Sequence, residues 1–142
     1  MRISRDEQMM RMVRIIAQRG ECVRRQVGAI IVDERGRILA TGYNGVAPGR
    51  TRCIDSPCEG ALLPSGEGLN KCEASHAEIS ALVTLEKPYL AHTLYCTTEP
   101  CVSCTKALLL TSVQRVVFQD RYPINGWHLW GKEWDQHGQD SV

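Results

Sequence analysis

His76-Ala77-Glu78 and, one strand's length further on, Pro100-Cys101-Val102-Ser103-Cys104 constrain this chain more than any other feature. His76, Cys101 and Cys104 carry the nitrogen and sulfur donors that zinc prefers, and a fold can use them together only by bringing both segments to one point. One imidazole and two thiolates make three protein ligands and leave a fourth tetrahedral position open for water. Structural zinc sites are instead closed by four protein ligands. Glu78 then has no need to ligate, and its expected role is to move protons between that water and a reacting group.

The spacing within each segment says how they meet. Cys101 and Cys104 are three apart, so the first turn of a helix puts both sulfurs on one side, where the helix N-terminus favours thiolate. His76 and Glu78 are two apart and diverge on a regular helix. Both approach one metal only if it lies off that helix's N-terminal end. The expectation is two helix starts meeting over a sheet with zinc between them. A structural zinc knuckle, or an H-x-E that is only helix surface, are the bland alternatives. His-x-Glu alone is a weak signal and Pro-Cys-x-x-Cys alone fits zinc of any kind; the combination is the specific one.

The 142 residues are enough for a single domain, 1–142, with a real core. The net charge is +1, with acidic and basic residues mixed, so no basic stripe marks a nucleic-acid face. The N-terminus is charged and lacks the apolar stretch of a signal peptide, and runs such as Val27–Val32 and 107–110 are far too short to span a membrane. A soluble cytoplasmic protein is expected. Seven cysteines, an odd count, suit reduced thiols and metal ligands better than a disulfide framework.

Along the chain, Ser4-x-x-Glu7 is a capping box that opens a helix with Met9, Met12, Val13, Ile16 and Ala17 as its core stripe, ended by Gly20. Val27–Asp33 and Arg37–Asn44 read as an antiparallel hairpin around Glu34-Arg35-Gly36. Gly45 to Glu73 has no periodicity and holds three prolines and five glycines, a length of loop that is usually functional or pinned by metal. A second helix starts near Ser75, buries Ile79, Leu82 and Val83, and stops before Pro88. His92–Thr97 is a third strand, Pro100 opens a third helix running to about Ser112, and Arg115–Gln119 is a fourth strand. This alternation implies right-handed crossovers and a mostly parallel second half. Residues 123–142 show no fifth strand. Trp127, Trp130 and Trp134 share one face of a possible short helix, as a seal on the domain's edge or as an oligomer contact.

With these residues in view, the chain resembles the cytidine deaminase superfamily and, within it, the deoxycytidylate (dCMP) deaminases, over roughly residues 5–122. Beyond the metal motif, the resemblance rests on residues 22–32 (Cys-Val-Arg-Arg-Gln-Val-Gly-Ala-Ile-Ile-Val), on Thr41-Gly42-Tyr43-Asn44-Gly45, and on Thr98-Glu99 before Pro100. The resemblance implies an α/β, cytidine deaminase-like three-layer α/β/α fold with a central mixed sheet of four to five strands. It implies a zinc enzyme of pyrimidine deoxynucleotide metabolism that converts dCMP to dUMP and ammonia. It places Asn44 on the deoxyribose and makes Arg24, Arg25, Arg121 and Tyr122 candidates for the phosphate side, where a guanidinium offers paired donors. Cys22, Cys53, Cys58 and Cys72 resemble the cysteines that some of these enzymes place around a second, structural zinc; small buried thiols are the alternative. Cys96, in mid-strand, reads as core. A homo-oligomer, commonly a hexamer, and the effectors dCTP and dTTP also follow from the family, and Gly42–Gly45 lies near the regulatory region.

One departure stands out: Ser80 replaces the family's usual Asn, so Ile79-Ser80-Ala81 looks more like the tRNA adenosine deaminases. Rival readings are a dCTP or 5-modified dCMP deaminase, a tRNA adenosine or nucleobase deaminase, and a non-enzymatic zinc module. The Arg24-Arg25 and Gly42–Gly45 segments oppose the RNA or free-base reading, and Glu78 opposes the non-enzymatic one.

Overall fold

β1 (Gly28–Val32) is buried at every position, which is why its sequence shows no polar alternation: both faces are covered. The computed structural model describes residues 1–64, 66–67 and 73–138. β1 pairs antiparallel with β2 (Ile38–Tyr43) on one side and with β3 (Thr93–Thr98) on the other. β4 (Arg115–Asp120) and β5 (Glu133–Gln136) then add in parallel, giving a five-stranded sheet in the order β2-β1-β3-β4-β5. The hairpin turn is set by Asp33, whose Oδ1 accepts the N–H groups of Arg35 and Arg37 at 2.9 Å each.

Alternate residues of the central strands feed two separate cores. Ile30, Val32, Tyr95 and Val117 meet Met9, Met10 and Val13 of helix α1 (Arg5–Ala17) on one face. Ala29, Ile31, Leu94, Cys96, Val116 and Phe118 meet Ala77, Ala81 and Leu108 on the other. Those last three residues belong to helices α2 (Ala77–Val83) and α3 (Val102–Leu108). The layers are therefore α/β/α, as the family resemblance implies.

The expected helices form, with shifted faces. Ser4 caps α1 by accepting the Glu7 N–H at 3.1 Å, but Met10 is fully buried where Met12 was expected, and Met12 is 37% exposed. In α2 the buried positions are Ala77 and Ala81 rather than Val83, which is 77% exposed. Small residues face the sheet there because the helix lies against the backbone of β2. A Cβ on Gly42 would sit 2.5 Å from the Ala81 nitrogen, so glycine is required for that approach. Helix α3 ends at Leu108 and continues as turns, short of Ser112.

The C-terminal segment differs most from expectation. Helix α4 (Trp127–Trp130) is a single turn closed by Gly131 at φ 67°, and Trp134 belongs to β5, not to a shared helix face. The Trp134 ring lies 5.9 Å from Phe118 and 6.0 Å from Trp130 between centroids, closing the edge of the core, while Trp127 stays exposed. Glu133, Asp135 and Gln136 hide this strand from a propensity-based reading; polar residues are what an edge strand carries. Among the described residues no helix is long and apolar enough to cross a membrane.

One ion-pair network ties α1 to three strands. Arg115 donates to both Asp6 carboxylate oxygens, at 2.9 and 2.8 Å, and to Asp135 at 2.9 Å, and the Tyr95 hydroxyl donates to Asp6 at 2.6 Å. The Arg115 guanidinium holds the Asp6 carboxyl below its ordinary value, against the opposing effect of partial burial. The pair therefore contributes in full above the ordinary aspartate pKa of about 3.9, and its contribution is lost as pH falls through the lowered folded-state value. Asp6→Asn is expected to lower stability by ~1–2 kcal/mol at neutral pH, between an exposed ion pair and a charge-assisted hydrogen bond. Urea melts at neutral pH and near pH 3 check this, with a smaller difference expected in acid; an equal loss at both would contradict it.

Candidate active site

His76 is the N-cap of α2 and Cys101 the N-cap of α3, both in extended backbone. An N-cap side chain leaves the helix at its end, which is how residues from two helices meet at one point. The His76 Nδ1 atom lies 3.4 Å from the sulfur of Cys101 and 3.4 Å from that of Cys104. Zn–S bonds of about 2.3 Å and Zn–N bonds of about 2.0–2.1 Å give tetrahedral S···N edges of roughly 3.6 Å. The donor set and its spacing therefore fit zinc. Among the described residues, these are the only three potential ligands whose donor atoms all lie within 4.8 Å of one another.

The electrostatics at this point are those of a shared proton. Hydrogen bonding from Cys104, helped by His76, brings the Cys101 thiol down to about 4. Cys104 is pushed up by the same hydrogen bond and by burial. The hydrogen bond to Cys101 raises His76. Glu78, in the first turn of α2, is 3% exposed, and burial pushes its carboxyl up. Cys96 is fully buried, and that burial raises its thiol well above the ordinary value, as a core cysteine requires.

A cleft opens over these groups. Its walls include His76, Glu78, Cys101, Asn44, Arg24, Arg25, Glu99 and Tyr122. Asn44 is buried, and its amide is anchored on both sides: Oδ1 accepts the Val27 N–H at 2.8 Å and Nδ2 donates to the Arg25 carbonyl at 2.7 Å. One amide N–H remains for a ligand. The adjacent arginines separate clearly. Arg24 donates to the carbonyls of Leu63, Pro64 and Glu67, at 3.2, 2.9 and 2.7 Å, so it holds the long loop. Arg25 leans on the Tyr122 ring at 5.7 Å, and its buried Nη1 has no hydrogen-bond partner among the described residues. Arg121 is not on the cleft wall; its side chain is 66% exposed, pairs with Glu99 at 3.3 Å and lies over Phe118.

Glu99 is the cleft residue that the sequence pattern does not single out. An acidic residue at the end of a strand buried throughout was the available signal. Of the four cysteines proposed for a second metal, Cys53 and Cys58 bring their sulfurs to 3.6 Å, and Cys22 and Cys53 are buried. That separation is far beyond a disulfide bond, and the edge of a zinc tetrathiolate is about 3.8 Å. Cys72 lies outside the described residues.

The sheet order, with two helix starts converging at one end of it, defines the cytidine deaminase-like class of fold. The profile for the cytidine and deoxycytidylate deaminase zinc-binding region matches residues 3–120, and the chain belongs to that family. The deoxycytidylate deaminase of Saccharomyces cerevisiae is 35% identical over 127 residues, covering 88% of this chain and 40% of the yeast protein. That of Mycobacterium phage D29 is 36% identical over 119 residues, covering 80% of this chain and 92% of the phage protein. The chain thus spans about two fifths of the yeast relatives' length and nearly all of the phage one. The crystal structure of dCMP deaminase from the cyanophage S-TIM5 in complex with dCMP and dUMP superposes with a TM-score of 0.74 at 28% identity, covering 96% of this chain and 98% of that one. A tRNA:A34 deaminase structure, at 21% identity and a TM-score of 0.59, shares the fold.

Proposed function

We propose that the chain acts as one deaminase domain, residues 1–142, and hydrolyses dCMP to dUMP and ammonia. The observation that carries this is Arg25: a guanidinium on the wall of the same cleft as Glu78, His76 and Cys101, with a buried Nη1 that nothing among the described residues satisfies. An unpaired buried donor is costly, and an anion is its natural partner. A phosphorylated nucleotide supplies that anion; cytidine or a free base does not. The deoxycytidylate deaminases among the relatives and the cyanophage enzyme that holds dCMP and dUMP support the same choice.

His76, Cys101 and Cys104 would hold zinc, which when bound supplies Lewis acidity that makes water nucleophilic near neutral pH. Glu78 takes the proton of the attacking water, passes it to N3 of the cytosine ring, and afterwards serves the departing 4-amino group. Its burial excludes bulk water from that transfer. Asn44 offers its remaining amide N–H to the deoxyribose and holds the Arg25 backbone in place. Tyr122 walls the phosphate side. Cys22, Cys53, Cys58 and Cys72 hold a second, structural zinc that pins the loop. The family resemblance supports a cytoplasmic homo-oligomer, a hexamer in the first instance, with dCTP and dTTP as effectors. Exposed Trp127 and Leu110 supply apolar surface for assembly.

Glu78→Gln is expected to retain zinc, at two ions per chain, and to lose on the order of 10²–10⁴ in deamination rate. Metal analysis and ammonia release from dCMP check it. Near-normal turnover would remove Glu78 from proton transfer, and lost zinc would recast it as a ligand.

The two arginines are expected to differ. Arg25→Ala should raise KM for dCMP by roughly ten- to a hundredfold, the scale of one lost charge-assisted hydrogen bond, with little change in kcat. Arg24→Ala should instead lower thermal stability, because it removes three contacts to loop carbonyls. Steady-state kinetics and melting curves on both variants decide it; equal KM effects would place the phosphate elsewhere.

A further inference from the structure

We infer that Glu99 is a positioning residue for the phosphate side of the cleft, acting through Tyr122 and Arg25; this rests on the reading of Arg25 given above. Its side chain has no exposed surface and both carboxylate oxygens are occupied. Oε1 accepts the backbone N–H of Tyr122 at 3.0 Å. Oε2 accepts the indole Nε1–H of Trp134 at 2.8 Å and an N–H of Arg121 at 3.3 Å. One oxygen is thus anchored on the last strand of the sheet while the other fixes the residue whose ring supports Arg25 at 5.7 Å. Glu99 also directly precedes Pro100-Cys101, so its own backbone is fixed to the metal-ligand segment.

Only a carboxylate satisfies this arrangement, because all three partners are N–H donors. A glutamine presents one oxygen and one NH₂ group, so whichever way it turns an N–H faces an N–H. Glu99→Gln keeps the shape and removes one acceptor. Either Tyr122 loses its anchor, or Trp134 and Arg121 lose theirs and the side chain that holds Tyr122 is no longer braced. Arg25 then loses the fixed aromatic surface it rests on. The consequence falls on recognition of the phosphate and not on the cytosine ring, which lies with Glu78.

The test compares binding of dUMP with binding of deoxyuridine by calorimetry, and kinetics on dCMP with kinetics on deoxycytidine, in the full chain with zinc content measured. Glu99→Gln is expected to lower the preference for the phosphorylated member of each pair roughly tenfold, the scale of one mispaired buried hydrogen bond, with zinc and kcat close to the parent. Trp134→Phe keeps an aromatic ring, removes one donor to Oε2, and should shift the same ratio in the same direction by a smaller factor. This second variant carries the test if Glu99→Gln does not fold. Arg25→Ala serves as the reference. If it abolishes the preference while the Glu99 and Trp134 variants leave it intact, the positioning role is overturned. Equal losses on both members of each pair would overturn it too, since a merely structural residue would act that way. If Arg25→Ala itself leaves the preference unchanged, the phosphate reading fails first and this inference fails with it.

Discussion

The meeting of the His76 imidazole with the Cys101 and Cys104 sulfurs, each at 3.4 Å, is the constraint on which the rest of the structure depends. It requires two helices to begin at the same place above one sheet, each with its N-cap side chain directed off its end. Several unrelated details serve that requirement. Gly42 lets α2 lie against the β2 backbone, where any side chain would strike Ala81. The isolated bridges Gly45–Ser75 and Cys101–Asn125 pin the segments just before α2 and α3. The Arg115 network then fixes α1 against the opposite face of the same sheet.

Around that point the protein buries polar groups that a purely structural core would avoid. Asn44, Glu78 and Glu99 are all less than a tenth exposed and all reach the cleft. Their environments differ in a way that separates their roles. Glu99 is saturated by protein donors, and Asn44 spends its oxygen and one amide N–H on the backbone, so each fixes a neighbouring segment. Glu78 is held mainly by burial, which raises its carboxyl and suits a group that exchanges protons. Among the described residues, Arg25 stands apart as the buried side-chain donor without a partner. On the proposed function, the positions that bond within the protein build the site and Arg25 is where the substrate's phosphate completes it.

Much of this is legible in the sequence because its signals are local. The metal motif, the hairpin and the cap at Ser4 all rest on spacing within a few residues, whereas the α/β/α layering comes from the family resemblance. What the sequence does not reveal is set by tertiary contact. The rotated stripes of α1 and α2 follow from how closely each helix approaches a strand, which Gly28 and Gly42 decide from the other side of the contact. β5 carries the polar sequence of an edge strand and pairs only because β4 is already in place. Arg24 and Arg25 are adjacent and chemically identical, and only the folded loop shows that Arg24 is held by carbonyls while Arg25 keeps a buried Nη1 with no partner among the described residues. Glu99 reads as part of a motif until Trp134 and Tyr122, distant in sequence, are seen to share it.

The most direct test of the central claim is ammonia release by the zinc-loaded parent protein from dCMP and deoxycytidine in parallel, at equal substrate concentrations. The account predicts deamination of dCMP to dUMP, with deoxycytidine turned over far less efficiently because the Arg25 side of the cleft is left without its anion. Equal efficiency on both substrates would contradict the role assigned to Arg25. No ammonia from dCMP, with zinc confirmed at His76, Cys101 and Cys104, would contradict the account as a whole.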